Sequence, residues 1–254
     1  MQLANLSAVV TGGASGLGLA CAQQLAARGV EVVIVDVSDE GGAQAALSLG
    51  GHVQFVRADV RDPAQVLAAI DAASERAPLR VLVHCAGVNL PVRPVERDGS
   101  AGSLEQFASI VQINLLGTFN CLRLAAARMA QNDPVDGDRG VCVLTSSIAA
   151  YEGQIGQIGY AASKAGVAGM TLVAARDLAK RQIRVCSIAP GIFDTPLLAR
   201  VPDDIRSALG AAVPHPARLG APAEFAQLAL QILENPMLNG ETIRLDGALR
   251  MAPR

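Results

Sequence analysis

Ala8-Val9-Val10-Thr11-Gly12-Gly13-Ala14-Ser15-Gly16-Leu17-Gly18 joins a β-branched run to a glycine-rich turn, and helical apolar spacing begins where the glycines end. Residues 8–11 read as a strand. Residues 17–28 read as a helix that Gly29 stops at its C-cap. Glycines let the backbone turn tightly and let a pyrophosphate approach the helix N-terminus, where free N–H groups and the helix dipole favour negative charge. The spacing is GxxxGxG, a variant of the common dinucleotide fingerprint. A plain strand-to-helix turn uses the same residue types, so the weight comes from the residues downstream. A P-loop is excluded, because no Gly-Lys-Ser/Thr ends the run.

Beyond the turn, strand and helix patterns alternate strictly. Residues 31–36, 52–56, 81–84, 141–145, 184–188 and 242–245 read as strands. Between them lie helical stretches at 40–49, at 62–76 behind an Asp62-Pro63 cap, at 104–129 as one or two helices, around Tyr160 to residue 180, and at 222–234. Such alternation predicts an α/β fold: a doubly wound parallel sheet of about seven strands with helices on both faces. Residues 1–254 suit one large domain, and the polar segments 91–103 and 132–139 read as surface excursions from it.

Composition agrees. Hydrophobic residues make up 51% and charged residues 17%, with no Trp, so aliphatic side chains must fill the interior. A net charge of −2 provides no basic field for nucleic acid or an anionic membrane. The five Cys stand singly in apolar segments and read as buried free thiols of a reducing compartment. Three dispersed His give a metal site little support. The first residues lack a cationic region followed by an apolar run, and residues 106–122 are interrupted by Gln112, Asn114, Gly117, Thr118 and Asn120. A cytoplasmic protein acting on a small molecule is the expectation.

Two further features carry chemistry. Asp36 closes the second strand 18 residues beyond Gly18, where an acid bonds both ribose hydroxyls and repels a 2′-phosphate. Neither Ser15 nor Val37 supplies a cation to offset it, which predicts NAD over NADP; a loop or capping acid is the alternative. The second feature is Tyr160-Ala-Ala-Ser-Lys164, which pairs one of only two Tyr with one of only two Lys. Four residues apart on a helix, their side chains project from one face. An ordinary exposed pair on a solvated helix face has the same spacing.

Over essentially its full length the chain resembles the short-chain dehydrogenase/reductase family. The matching features stand in the family's order: Thr11-Gly12 to Gly18, Asp59-Val60, Cys85-Ala86-Gly87, Asn114, Ser147, Tyr160 to Lys164, and Pro190-Gly191. His84-Cys85 departs from the family's common Asn-Asn before Ala-Gly. The resemblance implies a single-domain Rossmann fold with strand order 3-2-1-4-5-6-7. It implies that Tyr160 is the acid/base, that Ser147 binds the reacting oxygen, and that Lys164 binds the nicotinamide ribose and lowers the pKa of Tyr160. Asn114 would hold a water in a proton relay behind Lys164. Ser146 is an alternative to Ser147, which is preferred because it lies 13 residues before Tyr160 as the family pattern requires. The physics is consistent: a phenol near 10 is a poor base at neutral pH, and an ammonium beside it favours the phenolate. Cofactor contacts are implied at Gly12, Ser15, Gly16, Leu17, Gly18, Asp36, Asp59, Val60, Cys85, Ala86, Gly87, Pro190, Gly191, Ile192 and Thr195. Thr195 also fits the N-cap of a helix beginning at Pro196.

A narrower resemblance rests on Gly117-Thr118-Phe119-Asn120, Phe193-Asp194-Thr195-Pro196-Leu197-Leu198, Asn235-Pro236-Met237-Leu238-Asn239-Gly240-Glu241 and Ile243-Arg244-Leu245-Asp246-Gly247-Ala248. These runs look like the type II 3-hydroxyacyl-CoA dehydrogenase subgroup. It implies NAD-linked interconversion of 3-hydroxyacyl-CoA and 3-ketoacyl-CoA in fatty acid metabolism, a homotetramer, and Gln157 against the thioester side of the substrate. Residues 91–103 would be the subgroup's insertion, with Arg93 and Arg97 as candidate contacts for CoA phosphates or simply solvated cations. Residues 192–215 would cover the substrate. Another secondary alcohol such as a hydroxysteroid, or a non-catalytic NAD-binding assembly role, stays open.

Overall fold

The structure, a computed structural model, describes residues 1–196, 198 and 201–253. Seven strands form one parallel sheet: β1 (Ser7–Thr11), β2 (Glu31–Asp36), β3 (Val53–Arg57), β4 (Leu79–His84), β5 (Gly140–Thr145), β6 (Ile183–Pro190) and β7 (Thr242–Leu245). Their order is β3-β2-β1-β4-β5-β6-β7, as the resemblance implied. The helices are α1 (Gly16–Ala26), α2 (Asp39–Leu49), α3 (Pro63–Arg76), α4 (Leu104–Val111), α5 (Gly117–Met129), α6 (Ile158–Leu178), α7 (Asp203–Ala211) and α8 (Pro222–Glu234). The strands are continuously apolar because both faces are covered. Ala8, Val10, Val32, Ile34, Val81 and Val83 face a core with α1 and α8. Their neighbours Val9, Val33, Val35 and Leu82 face a second core with α3, α5 and α6.

Local signals set most boundaries. Asp62 Oδ1 accepts from Ala64 N at 2.9 Å and Gln65 N at 3.3 Å, capping α3 at Pro63 as expected. Gly29 takes φ +76° just past α1.

Residues 104–129, expected as one or two helices, form one continuous helix in which the π-helical turn Gln112–Leu116 separates α4 from α5. This helix of 26 residues contains an 18-residue stretch of mean hydropathy 1.3, and by length and composition it could cross a membrane. Half of that stretch is buried in the fold, and Asn120 Nδ2 of the same helix donates to Val60 O at 2.9 Å. Two outcomes differ from the sequence expectations. First, α7 has no counterpart in the expected elements. Second, among the described residues no helix starts at Pro196: Leu198 N–H closes a turn onto Thr195 O at 2.8 Å. Leu197, Ala199 and Arg200, within the expected substrate cover 192–215, lie outside the described residues. The excursion 91–103 folds against the start of α6, where Val92 N donates to Gly156 O at 2.7 Å.

The strand order reverses beside β1, since β2 lies on one side of it and β4 on the other. A doubly wound sheet opens a crevice at the carboxyl ends of its strands at such a point.

Candidate active site

That crevice is a cleft of about 620 Å³. Its floor is the turn between β1 and α1. Gly12 has φ +64° and packs so closely that a Cβ would lie 2.9 Å from Ala86 N. Gly18 permits the tightest approach, since a Cβ there would lie 2.2 Å from Gly12 O. Ser15 stands at the N-cap of α1 without capping it, and no acidic residue occupies the first turn. The first N–H groups of α1 are therefore free to bind an anion, and Gly12, Ser15, Gly16, Leu17 and Gly18 all line the cleft.

The neighbouring strands complete this end. Thr11 Oγ1 accepts from Cys85 N and Ala86 N, both at 3.2 Å, and meets His84 Nδ1 at 2.8 Å. With both lone pairs engaged, the hydroxyl proton goes to His84. Burial, with Lys164 nearby, drives the His84 pKa down to about 3, so the ring is neutral. Cys85, Ala86 and Gly87 thus present their backbone to the cleft. Asp36 lies at its rim, its carboxylate accepting from Ala14 N and Ser38 N at 3.2 Å each. Asp59 and Val60 line the same end. Arg61 lines it too, a cation that the sequence reading missed. It is engaged: Arg61 Nε donates to both Asp59 carboxylate oxygens at 3.0 Å, which holds the Asp59 carboxyl below the usual range.

At the other end stand Ser147, Tyr160 and Lys164. β5 delivers two adjacent serines with different environments. Both line the cleft, but Ser146 is fully buried with its Oγ donating to Lys164 O at 2.9 Å, whereas the Ser147 hydroxyl bears on the Tyr160 phenol. The geometry therefore sets Ser147, not Ser146, beside Tyr160. Lys164 Nζ donates to Thr145 O at 2.7 Å and lies 5.8 Å from the Tyr160 ring centroid. Burial lowers its pKa to about 8, with Cys85 acting in the opposite sense.

The phenol departs from expectation. Burial pushes the Tyr160 pKa above 10, and Ser147 opposes this only in part. The ammonium that was to lower it is directed at a backbone carbonyl, so desolvation wins. Asn114 does not line the cleft itself but lies fully buried under it. Its Oδ1 accepts from Val88 N and its Nδ2 donates to Val88 O and Ser163 Oγ, at 2.8, 2.8 and 3.1 Å.

Pro190, Gly191, Ile192 and Thr195 arrive on the end of β6 and the segment after it, and all line the cleft. Gln157 lines it from the N-cap of α6, not from within the helix, with Oε1 accepting from Gln154 N at 3.2 Å. Arg93 and Arg97 do not line it. Gln154, Leu209 and Met251 do, and nothing in their local sequence context marks them.

Residues 7–206 match the family model described as short chain dehydrogenase. The chain is 49% identical over 251 residues to 3-hydroxyacyl-CoA dehydrogenase type-2 of Rattus norvegicus, covering 98% of this chain and 96% of the relative. It is 48% identical over 255 residues to the protein of that name from Drosophila melanogaster, covering 99% of this chain and 100% of the relative. A crystal structure of 3-hydroxyacyl-CoA dehydrogenase type-2 from Mycobacterium avium matches the fold with a TM-score of 0.97 at 46% identity, over 100% of this chain and 99% of that one.

Proposed function

Since the chain belongs to the short-chain dehydrogenase/reductase family of oxidoreductases, we propose that it interconverts 3-hydroxyacyl-CoA and 3-ketoacyl-CoA with NAD, in fatty acid metabolism. One observation carries this reading: a single cleft brings a dinucleotide cradle, a rim carboxylate and the Ser147, Tyr160 and Lys164 side chains together. The names of relatives at 48–49% identity support the acyl-CoA substrate.

The nicotinamide, when bound, accepts hydride from the alcohol carbon and returns it to the ketone in the reverse direction. The protein's part is proton transfer and placement. Tyr160 gives its phenolic proton to the substrate oxygen in reduction and takes it back in oxidation. The Ser147 hydroxyl hydrogen-bonds that oxygen and stabilises the charge it gathers. Lys164, with one N–H spent on Thr145 O, has two left for the cofactor ribose. Asn114 fixes the floor beneath Lys164, and its remaining Oδ1 lone pair is available to a relay water. Gln157 addresses the thioester side, and Ile192, Phe193, Leu198 and Leu209, which line the cleft, cover the acyl chain.

The choice of NAD rests on charge. A 2′-phosphate would face the Asp36 carboxylate, and the cation nearest that end, Arg61, is already paired with Asp59. The five free cysteines suit a reducing compartment, and the cytoplasm is the location proposed. Exposed Leu116, Phe119, Leu172 and Val173 support burial of these helix faces in a homotetramer. Light scattering on the purified protein checks the latter.

The test is steady-state kinetics with acetoacetyl-CoA, longer 3-ketoacyl-CoAs and a ketosteroid, each with NADH and NADPH. Turnover of the acyl-CoA series with NADH dominating is expected. Turnover confined to the steroid, or a preference for NADPH, would overturn the corresponding part.

A further inference from the structure

We propose that Met251, carried on the segment after β7, is a specificity-determining residue that sets the length of acyl chain the cleft accepts. The inference rests on the acyl-CoA reading and extends it to a part of the chain that no motif marks.

The cleft has a polar end at the glycine turn and an apolar end beyond Ser147 and Tyr160. Three segments remote in sequence meet at that apolar end. Ile148 comes from the turn after β5, Ile192 and Val213 from the stretch between β6 and α8, and Leu249 and Met251 from the segment after β7. Ile148, Val213 and Leu249 are buried and form a small cluster separate from the two cores of the sheet. Met251 packs on that cluster and also lines the cleft. An acyl chain whose 3-oxygen sits between Ser147 and Tyr160 extends into this apolar end. A thioether there fills irregular space and presents no polar group to a hydrocarbon.

A specificity wall must be held in place, and this one is. Arg244 of β7 donates to the two Glu152 carboxylate oxygens at 2.9 and 2.8 Å, to Asp246 at 2.7 Å and to the Leu249 carbonyl at 3.2 Å. Its guanidinium lies 5.1 Å from the Tyr151 ring centroid. Further along, Ile155 N donates to Pro253 O at 3.1 Å and Gln154 Nε2 to Ala252 O at 3.2 Å. The segment is thereby stitched to residues 148–157, the stretch between Ser147 and Gln157. Met251 sits between the stitches at Leu249 and those at Ala252 and Pro253.

The experiment compares Met251→Ala and Met251→Phe with the wild type on 3-ketoacyl-CoAs of four to ten carbons with NADH. It reads the ratio of kcat/KM for the longest to that for the shortest substrate. A ratio taken within one preparation does not depend on the folded fraction. Met251→Phe is expected to lower the ratio about tenfold and Met251→Ala to raise it severalfold, the effect of a methylene or two in an apolar pocket. Ratios within about twofold of wild type in both variants would overturn the assignment and leave the acyl-CoA reading standing. A wild type inert on the whole series would overturn that reading, and the assignment with it.

Discussion

Asn114 and Val88 hold each other by two hydrogen bonds of equal length: Val88 N donates to Asn114 Oδ1 at 2.8 Å, and Asn114 Nδ2 donates to Val88 O at 2.8 Å. The side chain thus takes the place of a neighbouring strand for the residue just past Gly87. It does so from the π-helical turn Gln112–Leu116, a departure from regular helix of the kind that often marks a functional position. Asn114→Ala would orphan both Val88 groups. The cost of an unmade buried bond is about 1–3 kcal/mol for each group, so the urea midpoint should fall by an amount equivalent to about 2–6 kcal/mol. An unchanged midpoint would mean that water or a neighbour replaces the amide.

The raised Tyr160 pKa fixes the sign of the pH dependence. Alcohol oxidation needs the phenolate, which is the minor form at neutral pH when burial holds the pKa above 10. Oxidation kcat/KM with NAD should therefore rise from pH 7 to 9 relative to ketone reduction kcat/KM with NADH, the ratio cancelling the titration of Lys164 that both directions share. Ser147→Ala removes the group that opposes the shift and should move the oxidation limb further up. A plateau in oxidation already at pH 7 would contradict this.

Lys164 makes a stability prediction. Its folded pKa, about 8, lies below the ordinary lysine value of 10.5. Between these values the unfolded chain binds more protons than the folded one, so stability rises with pH across that window. Relative to Lys164→Met, the wild type should gain on the order of 3 kcal/mol from pH 7.5 to 10.5. Denaturant titrations of both proteins at the two pH values measure this difference. Parallel pH dependences would show that the ammonium is not desolvated.

Asp36→Asn tests cofactor choice with little change of shape. The amide oxygen can still accept from one of the two N–H groups, Ala14 or Ser38, that now bond the carboxylate, but the charge is gone. A unit charge about 4 Å from a phosphate is worth about 1–4 kcal/mol. The NADH/NADPH ratio of kcat/KM should fall at least about fivefold, and an unchanged ratio would assign the discrimination elsewhere.

Much of the fold was legible in the sequence because its determinants are local. The glycine turn, the Asp62-Pro63 cap and the alternating apolar runs act within a few residues, and the elements they mark are present. The cleft residues were legible as a set because most sit at or just past the carboxyl end of a strand or in the first turns of a helix. What sequence reading missed depends on distant partners. α7 belongs to a stretch organised by long-range contacts, among them a bridge from Phe193 to Gly220, and its nine residues include only two large aliphatics, Ile205 and Leu209. Met251 reaches the cleft on a segment held by partners about a hundred residues earlier in the chain, Glu152, Gln154 and Ile155. Burial at Tyr160 is a tertiary quantity, and so the sense of its pKa shift did not follow from the Tyr-Lys spacing.

Tyr160 transfers the proton in this mechanism, and one comparison addresses that role directly: single-turnover reduction of acetoacetyl-CoA by NADH in wild type and Tyr160→Phe, with NADH affinity measured in parallel. Loss of at least about 10²-fold in rate with NADH still bound is the result expected. A Tyr160→Phe variant that retained near wild-type turnover would contradict the mechanism.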